Sequence, residues 1–77
     1  MSYTVDHSFA TNLRYSINKN NHIPVDQKET KLRNINTVAT LSQEKVKFYM
    51  DQIEHKIDHR EKLSDFEACV YLLWDKE

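Results

Sequence analysis

One stretch of the sequence has side chains whose type and spacing could bind a metal ion. Asp51, His55 and His59 follow at intervals of four residues, so a helix would place them on one face. Two histidines at i and i+4 can share a metal ion, and a carboxylate can add a third ligand. However, Lys56 stands where metalloproteases place a glutamate base, and this face points away from the apolar positions of the same segment. We therefore expect a solvated surface, with no metal site and no cofactor.

Nucleophilic catalysis has equally little support in the sequence. Cys69 is the only cysteine, and no histidine or basic residue lies beside it to activate the thiol. Ser8, Ser42 and Ser64 stand at positions typical of helix caps. The chain contains no glycine, which phosphate-binding and dinucleotide-binding loops need because their backbone approaches the phosphate closely. We therefore predict that the protein has no catalytic residues.

Length and composition limit the architecture. A chain of 77 residues forms one domain at most. A lone cysteine cannot form a disulfide within the chain and is typical of a reducing compartment. No apolar run approaches the roughly 20 residues that a membrane span needs. We therefore expect a cytoplasmic protein without a membrane segment.

The first structured segment has two interpretations. Asp6 or Ser8 could cap a helix in which apolar residues recur every four positions, at Phe9, Leu13 and Ile17. Residues 13–18 also alternate between apolar and polar, so they could form a strand that pairs with residues 23–25 as a hairpin. Proline and the lack of glycine in the turn favour the helix. Residues 1–5 are then an N-terminal tail or a short extended segment.

Two further helices are predicted after Pro24. Asp26 and Glu29 have capping-box spacing, so a second helix should start at Gln27, although poor helix formers weaken it near Asn36. Thr40 or Ser42 caps a third helix, whose apolar positions predict a core face: Val46, Tyr49, Met50, Ile53 and Ile57. Because the chain lacks glycine, we expect loops that contain asparagine between the helices, since asparagine tolerates the left-handed conformation best after glycine.

The fourth predicted helix is apolar on more than one side. It starts at the capping box of Ser64 and Glu67. One broad face carries its larger apolar set: Phe66, Cys69, Val70, Leu73 and Trp74. Ala68, Tyr71 and Leu72 lie on the opposite side, and a helix that is apolar all round is normally buried all round. A bundle of this size has no room for such a helix.

This surplus of apolar surface predicts an interface. We expect Tyr71, Leu72 and Trp74 to contact a second subunit or another protein. Phe48, on the charged side of the third helix, is a weaker candidate for the same surface. The alternative is that the N-terminal tail, through Tyr3 and Val5, covers Tyr71 and Leu72.

Charge is unevenly distributed along the chain. Residues 1–49 have a net charge of +3 and residues 50–77 one of −4. Basic residues cluster around the second and third helices, which a short turn joins as in helix-turn-helix proteins: Lys28, Lys31, Arg33, Lys45 and Lys47. The third helix also carries carboxylates that would repel phosphate. The pI of 6.4 lies below the value above about 9 that is common in DNA-binding domains.

The sequence therefore predicts an all-α protein, a bundle of three or four helices over residues 6–77. We expect a non-enzymatic regulator or inhibitor that binds another protein and forms a homodimer. Such a compact, glycine-free composition fits an accessory protein of the kind that a phage or plasmid encodes. The alternative is a small helical DNA-binding transcriptional regulator that uses the five basic residues above.

Overall fold

Four helices account for most of the chain. The computed structural model describes residues 3–75 and contains α1 (His7–Lys19), α2 (Val25–Ala39), α3 (Gln43–Asp58) and α4 (Asp65–Leu73). The predicted all-α bundle is confirmed, and the hairpin alternative for residues 13–25 is wrong because α1 continues through residue 19. None of these four helices has the length and apolarity needed to cross a bilayer.

Polar side chains fix the starts of three helices. The Asp6 carboxylate accepts a hydrogen bond from the Phe9 N–H at 3.0 Å, and Ser42 Oγ accepts one from the Lys45 N–H at 3.3 Å. Ser64 caps α4 within the predicted capping box. These bonds satisfy backbone N–H groups that would otherwise lack partners in the first turn.

The start of α2 differs from the prediction. The helix begins at Val25 with Pro24 as its cap residue, two positions before Gln27, and the Asp26 side chain makes no capping bond. A proline suits this place because it has no N–H to lose, and its carbonyl accepts the Lys28 N–H at 2.9 Å. The expected weakness near Asn36 is also wrong, since burial of Ile35 and Val38 carries α2 on to Ala39.

Among the described residues, one has a positive φ angle, and it lies just after α3. Arg60 has a φ of 58°, in the left-handed region that asparagine tolerates better than arginine. The Glu61 N–H donates to the Lys56 carbonyl at 2.8 Å, and the Arg60 N–H donates to the Ile57 carbonyl at 3.1 Å. This pair of bonds is the Schellman motif, whose left-handed position usually holds glycine. The bonds made there offset the steric cost of placing arginine in that conformation.

One predicted core position of α3 faces solvent instead. Ile57 is 47% exposed, whereas Val46, Met50 and Ile53 are buried. At this turn of α3, Lys56 contacts α4, since its Nζ donates a hydrogen bond to Glu67 Oε1 at 2.7 Å. At this turn, an ion pair between α3 and α4 therefore replaces the apolar core contact that the sequence predicted.

Helix α4 is the centre of the bundle. It packs against each of the other three helices, and α3 contacts the rest of the molecule mainly through α4. Val70 and Leu73 are completely buried in a core that also includes the following side chains: Ala10, Ile17, Ile35, Val38, Val46, Met50 and Ile53. Three helices thus pack on α4, and one of its sides is left uncovered by residues 3–75.

Backbone hydrogen bonds join the two ends of the described chain. The Asp6 N–H donates to the Leu73 carbonyl and the Asp75 N–H to the Thr4 carbonyl, both at 2.8 Å. Between these bonds, residues 5 and 74 form an isolated antiparallel bridge. We call this pairing of residues 4–6 with residues 73–75 the clasp. Trp74 was expected on the apolar face of the last helix, but its ψ of 131° takes it out of the helix and into the clasp.

Candidate functional site: an open groove on α4

The open side of α4 borders a groove of about 790 Å³, lined by α1, α2, α4 and the loop between α1 and α2. Its apolar lining consists of Leu13, Ile17, Ile23, Ile35, Ala68, Cys69 and Leu72. Its polar lining consists of Asp26, Gln27, Thr30, Lys31, Asn34 and Asp65. The groove therefore has a mainly aliphatic surface and three charged groups.

Helical periodicity explains how α2 and α4 form the two walls. The α2 wall contains residues 27, 30, 31 and 34, and the α4 wall contains residues 65, 68, 69 and 72. Both sets follow the i, i+3, i+4, i+7 spacing of a single helix face. Ala68 and Cys69 have small side chains, so the space between the walls stays open where leucines would fill it.

The directions of the helices place the acidic groups together. Helices α1 and α4 run in opposite directions, because the residues after α4 pair with those before α1. A loop of five residues turns α2 back along α1, so α2 and α4 run the same way. Asp26 and Asp65 both lie in the first turns of these helices and therefore at the same end of the groove.

Leu72 is a large apolar residue of the α4 wall that is exposed to solvent. Its side chain is 48% exposed, whereas the adjacent Leu73 is completely buried. Leu72 contributes to the groove lining, so this exposed surface is continuous with the aliphatic floor. A large apolar side chain beside an apolar groove is typical of a surface that binds another molecule.

Cys69 behaves as part of the apolar surface. Its side chain is half-buried in the groove, and burial raises the pKa of the thiol. The thiol therefore stays protonated at neutral pH and acts as a small apolar group, not as a nucleophile.

The other predicted partner-binding residues lie elsewhere. Phe48 is 55% exposed and contacts Tyr49 edge to face at 5.7 Å between ring centroids, outside the groove. Trp74 stacks on Tyr3 at 6.0 Å in the clasp. Tyr71 is 40% exposed on the open side of α4 but does not line the groove. Among the described residues of the tail, Tyr3 packs on Trp74, and the 48% exposure of Leu72 differs from the alternative in which the tail covers it.

The five predicted DNA-binding residues are not brought to one face. Lys31 lines the groove, whereas Arg33, two residues later, lines a shallow depression on another side of α2. Lys28 Nζ donates to the Asn18 carbonyl at 3.2 Å, and Lys47 pairs with Asp51 at 3.1 Å, which raises the pKa of the lysine. Lys45 is exposed in the first turns of α3. DNA binding stays a prediction, since Lys31 and Arg33 lie on different sides of α2.

The possible metal ligands form only a pair. His55 and His59 contact each other with ring centroids 4.1 Å apart, while Asp51 is engaged with Lys47. Within residues 3–75, no three side chains of His, Cys, Asp or Glu come together as a metal-binding group.

A partly buried ion pair holds α3 against α4. Glu67 Oε1 accepts from Lys56 Nζ at 2.7 Å and from the Ser64 N–H at 2.9 Å. The hydrogen bond from Lys56, followed by the one from the Ser64 backbone, lowers the pKa of Glu67. The same carboxylate thus completes the capping box of α4 and fixes the neighbouring helix.

Sequence reasoning identified Leu72 but missed most of the groove around it. Leu13 and Ile23 were read as parts of local elements, and Asp26 was read as a cap. The spacing of residues 27, 31 and 34 on α2 was visible, but nothing in the sequence indicates that this face borders α4. Comparison of the chain with protein-family models, with curated proteins and with solved structures found no match.

Proposed function

We propose that this protein is a non-enzymatic regulator or inhibitor that acts by binding another protein through the groove. The observation that carries the proposal is the exposure of Leu72 on the wall of a groove with an aliphatic floor. Full burial of a large aliphatic side chain contributes about 1.5–3 kcal/mol, so an occupant that covers the exposed half of Leu72 gains about 1 kcal/mol from it.

Several features of the groove support binding over catalysis. Burial raises the pKa of its thiol, and the lining that residues 3–75 provide has two carboxylates beside aliphatic side chains and no histidine or serine. The surface is an open groove about two helical turns long, with α2 and α4 as its walls, and such an apolar groove can accept an amphipathic helix.

A homodimer is the other assembly that this surface could form. Two copies joined through Leu72 would bury apolar surface from both chains. Sedimentation of the native protein over a wide concentration range distinguishes this assembly from a monomer that binds another protein.

The test uses two substitutions that differ only in their relation to the groove. Leu72→Glu places a charge on the groove wall. Ile57→Glu is a matched control, since Ile57 is 47% exposed, Leu72 is 48% exposed, and each is the second-to-last residue of its helix. The two charges therefore meet similar solvent exposure and similar helix dipoles.

The tagged proteins are used to capture partners from a lysate of the source organism, with and without nuclease, and the captured proteins are identified by mass spectrometry. We expect a partner that the native chain and Ile57→Glu retain, that Leu72→Glu loses, and that nuclease treatment leaves in place. Equal capture by all three proteins, or capture that disappears with nuclease, would contradict the proposal.

A further inference from the structure

We infer that the partner inserts an amphipathic helix whose apolar stripe ends in a lysine or arginine. This inference rests on the proposed function, because it specifies the occupant of the same groove. It follows from the length of the groove walls, from the position of the charged groups and from the symmetry of the alternative assembly.

The length of the walls fits two turns of a helix. Residues 65–72 and 27–34 each span seven positions, which at 1.5 Å per residue corresponds to about 10 Å. An occupant helix presents apolar side chains at i, i+3 or i+4, and i+7 over the same length. Such a stripe can contact Leu13, Ile23 and Leu72 while its polar face remains in solvent.

The charges in the groove specify the end of that helix. Asp26 and Asp65 lie at one end, and Lys31 lies one to two turns further along α2. None of these three side chains forms an ion pair within residues 3–75. A lysine or arginine at the matching end of the occupant would meet two carboxylates, whereas an acidic residue there would be repelled.

The same charges disfavour a second copy as the occupant. A two-fold dimer places the groove against itself, so each charged residue has a counterpart in the other chain. Such an interface would contain four carboxylates, from Asp26 and Asp65 of both chains, and only two ammonium groups, from Lys31. A different protein can supply the missing positive charge.

A display library of 16-residue helical peptides provides the probe. Clones are selected on the native protein, and those that also bind Leu72→Glu are discarded. We expect the remaining clones to share the apolar spacing i, i+3 or i+4, i+7 and to carry lysine or arginine at one end of the stripe. Their binding to Ile57→Glu should be unchanged.

A double-mutant cycle then tests the charge contact. The best clone is made as a peptide, together with a version whose terminal basic residue is glutamine. The protein is used in its native form and as Asp26→Asn/Asp65→Asn, a change that removes charge without altering side-chain size. Each single change should weaken binding by roughly two- to five-fold, as exposed ion pairs do, and the combined change should weaken it little further.

The outcomes separate the two proposals. Clones that require Leu72 but show no preference for a basic residue, or prefer an acidic one, overturn the inference about the partner and leave the groove as a binding site. A library without any Leu72-dependent clone removes support for both. A native dimer that Leu72→Glu dissociates, in the absence of such clones, identifies a second copy as the occupant and overturns the inference.

Discussion

Two neighbouring leucines of α4 should separate folding from binding. Leu73 is completely buried and Leu72 is 48% exposed, although they are adjacent in the sequence and identical in chemistry. We predict that Leu73→Ala destabilises the protein severely and that Leu72→Ala leaves it folded but defective in binding.

The magnitudes follow from burial. Leucine-to-alanine changes at fully buried sites cost about 2–5 kcal/mol, which includes the cavity left behind. At about 0.05–0.15 kcal/mol per residue, a chain of 77 residues has a total stability of roughly 4–12 kcal/mol. Leu73→Ala can therefore unfold much of the population. About half of the Leu72 side chain is already in water, so its truncation should cost about 1 kcal/mol or less.

Urea denaturation measures both effects. The midpoint of Leu73→Ala should fall far below that of Leu72→Ala at unchanged m-value, and Leu72→Ala should lose the binding seen with the native chain. Equal destabilisation by the two substitutions would refute the orientation of α4. A stable Leu72→Ala variant that binds its partner normally would refute the role of the groove wall.

Three further predictions concern the parts of the fold that hold α4 in place. Arg60→Gly relieves the left-handed backbone at the end of α3, and we expect a gain of about 0.5–1 kcal/mol in thermal or urea unfolding. The lowered pKa of Glu67 stabilises the fold above its ordinary value of 4.5, and this contribution is lost as the pH falls through the folded-state pKa. The stability difference between the native chain and Glu67→Gln should therefore be largest near pH 7 and shrink toward pH 3; a constant difference would contradict the ion pair. Tyr3→Ser removes the ring stacked on Trp74, the only tryptophan, so its fluorescence should shift toward that of an exposed indole, with a loss of about 0.5–1.5 kcal/mol.

Local signals predicted the helices well because their determinants lie close together in sequence. Asp6, Ser42 and Ser64 each cap a helix that starts at the next residue. The exception at Pro24 has the same local character, since a proline can begin a helix without losing a hydrogen bond. Arg60 shows the limit of residue preferences, because the two hydrogen bonds of the Schellman motif place arginine in a conformation that glycine and asparagine adopt more easily.

The groove could not be predicted in the same way because it depends on which helices become neighbours. The sequence identified Leu72 as surplus apolar surface, and its exposure agrees with that expectation. It did not indicate that α2 would lie beside it, or that Asp26 and Asp65 would share one end. Trp74 was misplaced for a related reason, since the backbone pairing with residues 4–6 that draws it out of the helix joins opposite ends of the chain.

Contacts at both ends and in the middle of α4 hold the helix in place beside the groove. The Leu73 carbonyl is bonded to the Asp6 N–H at one end of the helix, and Glu67 is bonded to Lys56 nearer the other. Val70 packs into the core between these points. Because α4 is held in this way, its uncovered side presents Ala68 and Leu72 at set positions. The proposed binding of a helix to this surface would avoid the free-energy cost of ordering the receptor, so the ordering cost of the complex would fall mainly on the helix.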